Sequence, residues 1–207
     1  MIARLAVLGL LVGALQGCAT TVVAVLSSDV PTGLSGGEGR RLVVVGPFDD
    51  ERPVKGVCGE QSGSLGSGPP VLCDREPAPF ITSALVQALE RAGFEVETAD
   101  RPRPPTDAPV VRGVLVQLYA QPTGGFSHFV MEADMHVRLE VQAPSGLVAR
   151  RSFFVKGNRG VGGTAGAAVQ ESISDATNRI VKNMVAALLS LENEYPELAA
   201  GGKEGAP

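Results

Sequence analysis

Five groupings of residues in this chain have types and spacings that could carry chemistry. Gly33-Leu34-Ser35-Gly36-Gly37 matches the G-x-S-x-G pattern of a serine nucleophile. Such a serine needs a strand before it and a helix after it, which strain the turn and expose the hydroxyl. Here it lies in a Gly-rich stretch, with Gly39 and then a strand following. His128, Glu132, Asp134 and His136 share one face of a strand by parity, and two imidazoles with two carboxylates suit a metal. At the usual strand rise the two histidines stand about 27 Å apart, so they do not share one ion. Gly160, Gly162, Gly163 and Gly166 precede a helix, as in a phosphate-binding loop. Neither G-x-x-x-x-G-K-[ST] nor G-x-G-x-x-G is present, and no Lys follows closely to hold a phosphate. Cys73 would need an adjacent His to become a thiolate nucleophile, and its neighbour is Asp74 in a Pro-rich loop. Asp49, Asp50 and Glu51 could hold a cation loosely, but a solvated turn accounts for them more simply. The expectation is no catalytic residue, no metal site and no cofactor.

The composition agrees with that reading. A chain of 207 residues makes about one domain, two at most. Hydrophobic residues are 44% of it, enough for a core, and charged residues are 19%. The net charge of −4, the absence of Trp and the presence of only two Tyr argue against a nucleic-acid partner. The negative net charge argues equally against electrostatic attachment to an anionic membrane surface.

The N-terminus carries the sharpest signal. Met1-Ile2-Ala3-Arg4 supplies one positive charge, and Leu5 to Leu15 is apolar except for Gly9 and Gly13. That run is too short to span a bilayer and has the proportions of a signal-peptide core. Leu15-Gln16-Gly17-Cys18 follows and resembles a bacterial lipobox. The resemblance implies cleavage before Cys18 and acylation of that cysteine. It makes 1–17 a lipoprotein signal peptide and 18–40 a lipidated, flexible tether. The alternative is an ordinary secretory signal with a chance cysteine. Ala19, rather than Asp, favours the outer membrane by resemblance to enterobacterial sorting; inner-membrane anchoring is the lesser alternative. With Cys18 so used, Cys58 and Cys73 remain as an even pair in an oxidising compartment, which reads as a disulfide. It would close a loop of about 16 residues and stabilise by roughly 3 kcal/mol in the chain-entropy model. Two free thiols are the other possibility.

The elements that must position these residues follow from periodicity. Arg41 to Gly46 reads as a buried strand, and 54–77 is an excursion carrying both cysteines. Ile81, Ala84, Leu85, Ala88, Leu89 and Ala92 form the apolar stripe of a helix over Pro79 to Ala92. Pro77 and Pro79 suit its first turn and Gly93 its end. Phe94 to Thr98 alternates as a short strand. Val110 to Tyr119 is apolar on both faces and should be central. Phe129 to Gln142 alternates cleanly, with one dry and one wet face. Leu147 to Lys156 is the last strand, and Gly157 to Gly163 a glycine-rich loop. Thr164 caps a final helix to about Leu191. Residues 41–193 then form one α+β domain, and 194–207 a disordered tail. The simplest architecture is a two-layer sandwich: a mixed, mostly antiparallel sheet of about five strands with two helices on one face.

A lipobox, a strand running into Phe48-Asp49-Asp50-Glu51-Arg52, a helix leading into Gly93-Phe94-Glu95-Val96, a meander and a terminal helix together resemble the YajG-type bacterial lipoproteins. The resemblance spans about residues 41–192. It implies a lipid-anchored, periplasm-facing, non-catalytic domain at the outer membrane. The membrane would be its partner through acyl chains on Cys18, and an envelope or transport complex its docking partner. The alternative is a binder or carrier of a lipid or glycolipid, motivated by the doubly apolar strand Val110 to Tyr119. A lipopolysaccharide site would call for a basic cluster, and Arg150-Arg151 falls short of one.

Overall fold

The computed structural model describes residues 21–29, 31, 33–63, 66–101, 107–125, 128–160 and 164–195. Its elements are β1 (Val22–Ala24), β2 (Arg41–Asp50), β3 (Val57–Gly63), β4 (Gly66–Cys73), α1 (Pro77–Arg91), β5 (Glu95–Ala99), β6 (Val110–Gly125), β7 (His128–Gln142), β8 (Val148–Gly160) and α2 (Ala165–Glu194). The leader 1–17, Cys18 and the tail beyond Tyr195 lie outside the described residues.

The sheet is built on β6, the longest strand. β7 pairs antiparallel along its whole length, from Val110↔Gln142 to Gly125↔His128, and β8 pairs antiparallel beyond β7. On its other edge β6 meets two strands in succession. Its first half pairs in parallel with β2, which carries β5 beyond it; Ala120, further along, meets Gly59 of β3. β4 pairs antiparallel with β3, and β1 adds in parallel to β4.

Alternation along β7 decides which face is dry. Met131, Ala133, Met135, Val137, Leu139 and Val141 are buried, in one cluster with Ile81, Leu85 and Leu89 of α1 and Ile173, Ile180 and Met184 of α2. The opposite face, with Glu132, Asp134, His136, Arg138 and Glu140, stays open to solvent. The helix ends follow their local chemistry. Two prolines occupy the first turn of α1, and Gly93 takes φ +98° just past its end. Thr164 caps α2 by accepting from the Ala167 amide.

Three expectations are corrected. The sheet has eight described strands rather than about five, because the excursion 54–77 contains a hairpin and the N-terminal segment a strand. The stretch read as tether is packed at several of its described residues: Ala24 and Leu26 are buried, the Leu26 amide donates to Asp74, and the Gly37 amide donates to the Ala92 carbonyl. Its Ser, Gly and Pro content concealed the few apolar residues that enter the core. The glycine-rich loop begins later than its composition suggested, because 157–160 continue β8. A Cβ on Gly157 would stand 2.0 Å from the Ser172 carbonyl oxygen of α2, so this glycine permits the close approach of helix and strand. Residues 161–163 lie outside the described residues.

Candidate functional site

The Phe-x-Asp-x-Arg motif is a structural lock. Phe48 is buried, and its ring lies where a Cβ on Gly113 of β6 would be, so β2 and β6 fit only because that position is glycine. Its amide donates to Thr82 Oγ1 at 2.9 Å, and the Thr82 hydroxyl donates back to Ala78 within α1. The Arg52 side chain is 2% exposed and forks onto Asp50 through Nε and Nη2, each at 2.9 Å, while Nη1 donates to the Val57 carbonyl. The guanidinium holds the Asp50 carboxyl below its ordinary range, against the opposing effect of burial. The motif thus ties β2, α1 and the start of β3 together.

Cys58 and Cys73 form a disulfide across the β3–β4 hairpin, with Cα atoms 5.1 Å apart. Val57 pairs with Leu72 and Gly59 with Val71, so Cys58 sits at a bulge between two registered pairs. Asp74, next in sequence, is a junction. Burial works to raise its carboxyl, but the Arg75 guanidinium and the Leu26 amide outweigh it and bring the group below its ordinary range. The adjacent Cys and Asp are therefore bound up in holding β1 and β4, not in activating a thiolate.

The open face of the sheet carries a set of charged side chains that the core does not use. Register sets its side chains in cross-strand rows over β6, β7 and β8: Arg112, Glu140 and Arg150; Val114, Arg138 and Ser152; Gln117, His136 and Phe154; Tyr119, Asp134 and Lys156. Glu140 pairs with Arg150 at 2.9 Å and lies 3.8 Å from Arg112. Arg138 pairs with Glu51, and Lys156 with Glu132 and Asp134, whose carboxylates raise the ammonium pKa above its ordinary value. Arg112, Arg138 and Arg150 line a shallow cavity of about 450 Å³, with Glu140, Asp49 and Ser152. Its chemistry suits an acidic group on a ligand or partner, which would share the guanidiniums with Glu140 and Glu51. Parity placed Arg138 on the wet face of its strand, but the cross-strand register that makes the convergence is not written in the sequence. Arg150 and Arg151 are adjacent in sequence yet point apart, the latter pairing with Glu194 at the end of α2.

The other sequence candidates are dispersed. Gly33 and Gly36 take positive φ, and a Cβ on Gly37 would strike the Phe94 ring, so the G-x-S-x-G match packs the N-terminal segment against the end of α1. Ser35 has no strand–helix elbow around it. His136 Nε2 lies 2.6 Å from Ser152 Oγ on the open face, while Glu132 and Asp134 turn to Lys156. The His128 side chain lies outside the described residues. Asp49, Asp50 and Glu51 do not converge: Asp50 serves Arg52, Glu51 serves Arg138, and Asp49 faces the arginine cavity. The phase of β6 also answers its doubly apolar pattern. A bulge between Leu115 and Gln117 shifts its parity, so Val111 and Leu115 before it and Leu118 and Ala120 after it all face the core.

No protein-family model matches the chain, and no curated protein does. Solved structures do. A Xanthomonas campestris protein of family DUF330 matches with a TM-score of 0.59 at 12% identity, over 85% of this chain and 99% of that one. An uncharacterised protein matches with a TM-score of 0.50 at 14% identity, over 80% and 99% of the two chains. A putative neuraminyllactose-binding hemagglutinin homolog from Helicobacter pylori matches with a TM-score of 0.50 at 10% identity, over 84% and 95%. What the chain shares with these proteins is the fold.

Proposed function

We propose that this chain is a lipid-anchored accessory protein of the bacterial cell envelope, of the YajG-like kind. It is held on the outer membrane by acyl chains on Cys18 and faces the periplasm. The observation that carries the reading is the conjunction of Leu15-Gln16-Gly17-Cys18 behind an apolar leader with a disulfide between the two remaining cysteines. A disulfide of this kind belongs to an oxidising compartment, to which such a leader delivers the chain. No helix among the described residues is long and apolar enough to cross a membrane, so an acyl anchor supplies what those helices do not.

The role is non-catalytic. On the open face His136 stands on β7, laddered to β6 and β8, and Ser152 on β8, laddered to β7, neither at the strained turn that exposes a nucleophile. The arginine cavity and the charged rows suit docking on another envelope protein. The lipid-carrier alternative rested on a doubly apolar central strand, and the bulge in β6 explains that pattern as a change of phase.

Purifying the acylated chain from its own membranes in mild detergent, with mass spectrometry of what it retains, tests the reading. A stoichiometric envelope protein is expected, and its loss on Arg112→Glu with Arg138→Glu would place it on the open face. A defined lipid retained with no protein would contradict the docking role.

A further inference from the structure

Resting on the reading of Cys18 as the acylated residue, we infer that the β1–β4 edge of the sheet lies against the bilayer surface through Val23, Val25 and Leu72. Three residues, 19–21, separate Cys18 from Val22, the first residue of β1. Four extended residue steps reach at most about 14 Å. The domain is therefore not held out on a long leash; β1 itself stays beside the anchor.

That edge is apolar on the side turned away from the core. Val22 and Ala24 face inward, where Val22 meets Gly166 of α2 and Ala24 is buried. Val23 and Val25 point the other way and are 48% and 46% exposed. Val23 is registered with Leu72 of β4, itself exposed, and Leu72 with Val57 of β3, so three strands place apolar side chains in one row. The turn ahead of β3, whose Gly56 carbonyl accepts from the Cys73 amide, carries the exposed Val54. An edge strand is ordinarily blunted by charge; this one exposes Val23, with Val25 just past its end and Leu72 on the strand beside it. With a net charge of −4 the chain has no general attraction to anionic lipid, so apolar contact is the interaction left to orient it. A second apolar contact beside the lipidated residue fixes the orientation of the domain at its β1–β4 edge, whereas the arginine cavity lies further along the strand order, on β6–β8.

The chain contains no Trp, so a single introduced Trp is a clean reporter. Acylated Leu72→Trp and Phe154→Trp, the second on the open face of β8, are each incorporated into phosphatidylethanolamine–phosphatidylglycerol vesicles with brominated acyl chains. Val25→Trp serves if Leu72→Trp does not fold. Acylation is verified by mass and association by flotation on the same samples. The expected result is quenching at Leu72→Trp or Val25→Trp at least about threefold stronger than at Phe154→Trp. Acylated, floating protein with equal quenching at both sites overturns the orientation and leaves the anchor standing. So does a reporter blue-shifted but unquenched, which would show the patch covered by a second protein copy. An unacylated chain that does not float overturns the anchor and this inference together.

Discussion

Arg52 grips Asp50, two residues away, through a two-pronged contact at the point where β2 gives way to the turn before β3. The guanidinium is almost wholly buried, and that carboxylate is the counter-charge that accompanies it. Asp50→Asn should destabilise the domain by about 3–5 kcal/mol, because it leaves a buried cation without its counter-charge. Arg52→Met combined with Asp50→Leu should recover much of the loss. Chemical denaturation of the three variants checks this, and a double variant as weak as Asp50→Asn would contradict it.

The same pair sets a pH dependence. The folded-state pKa of Asp50 lies below its unfolded value of about 4. Its contribution is therefore fully present above that value and is lost as the pH falls through the folded pKa. Asp74 acts with the same sign. Stability measured from pH 6 downward should fall more steeply in the parent than in a chain carrying Asp50→Asn. Parallel curves would show that the pair is not linked to folding.

Reduction of Cys58–Cys73 should cost roughly 3 kcal/mol, the value for cross-linking residues 15 apart in the chain-entropy model. Denatured, unreduced protein should not react with a thiol reagent at either position. Prompt labelling of both would refute the bond.

The N-terminal segment belongs to the core. A chain beginning at Thr21 should unfold cooperatively, whereas one beginning at Gly39 loses Ala24, Leu26 and the partner strand of β4. The shorter chain should be several kcal/mol less stable, on the order of 2–5 for each large buried side chain removed. Equal denaturation midpoints would return residues 21–38 to the status of a tether.

Gly157→Val should weaken the packing of α2 on β8, since its side chain meets the Ser172 carbonyl and the Ala176 amide. A cost of about 1–3 kcal/mol is expected from overpacking. Gly146→Ala, at a turn with open space around it but φ +89°, should cost less and through the backbone alone. A larger effect at Gly146 would contradict this ranking.

Much of the fold was legible where one physical signal ran unbroken. The β7 alternation from Met131 to Val141, the α1 stripe from Ile81 to Ala92 and the Thr164 cap each appear where period and capping chemistry put them. The β3–β4 hairpin was hidden because its Gly, Ser and Pro content is that of a loop. The disulfide and the pairing with β1 hold it as sheet, and Pro69 and Pro70 lie in the part of β4 that β1 does not reach. The arginine cavity was invisible for another reason. Arg112, Arg138 and Arg150 come from three strands, and only their register brings them together. The Asp50–Arg52 lock could be seen as a motif but not as a buried pair, since burial depends on the turn that follows.

The anchor on Cys18 is the point on which the functional account turns. Intact-mass and N-terminal analysis of the chain recovered from fractionated membranes of a two-membrane bacterium tests it directly. The account requires a mature protein that begins at Cys18, carries acyl chains and sediments with the outer membrane, and a Cys18→Ala chain that is uncleaved or unanchored. An unmodified protein free in the periplasm, or a Cys18→Ala chain that still carries lipid on the membrane, would contradict it.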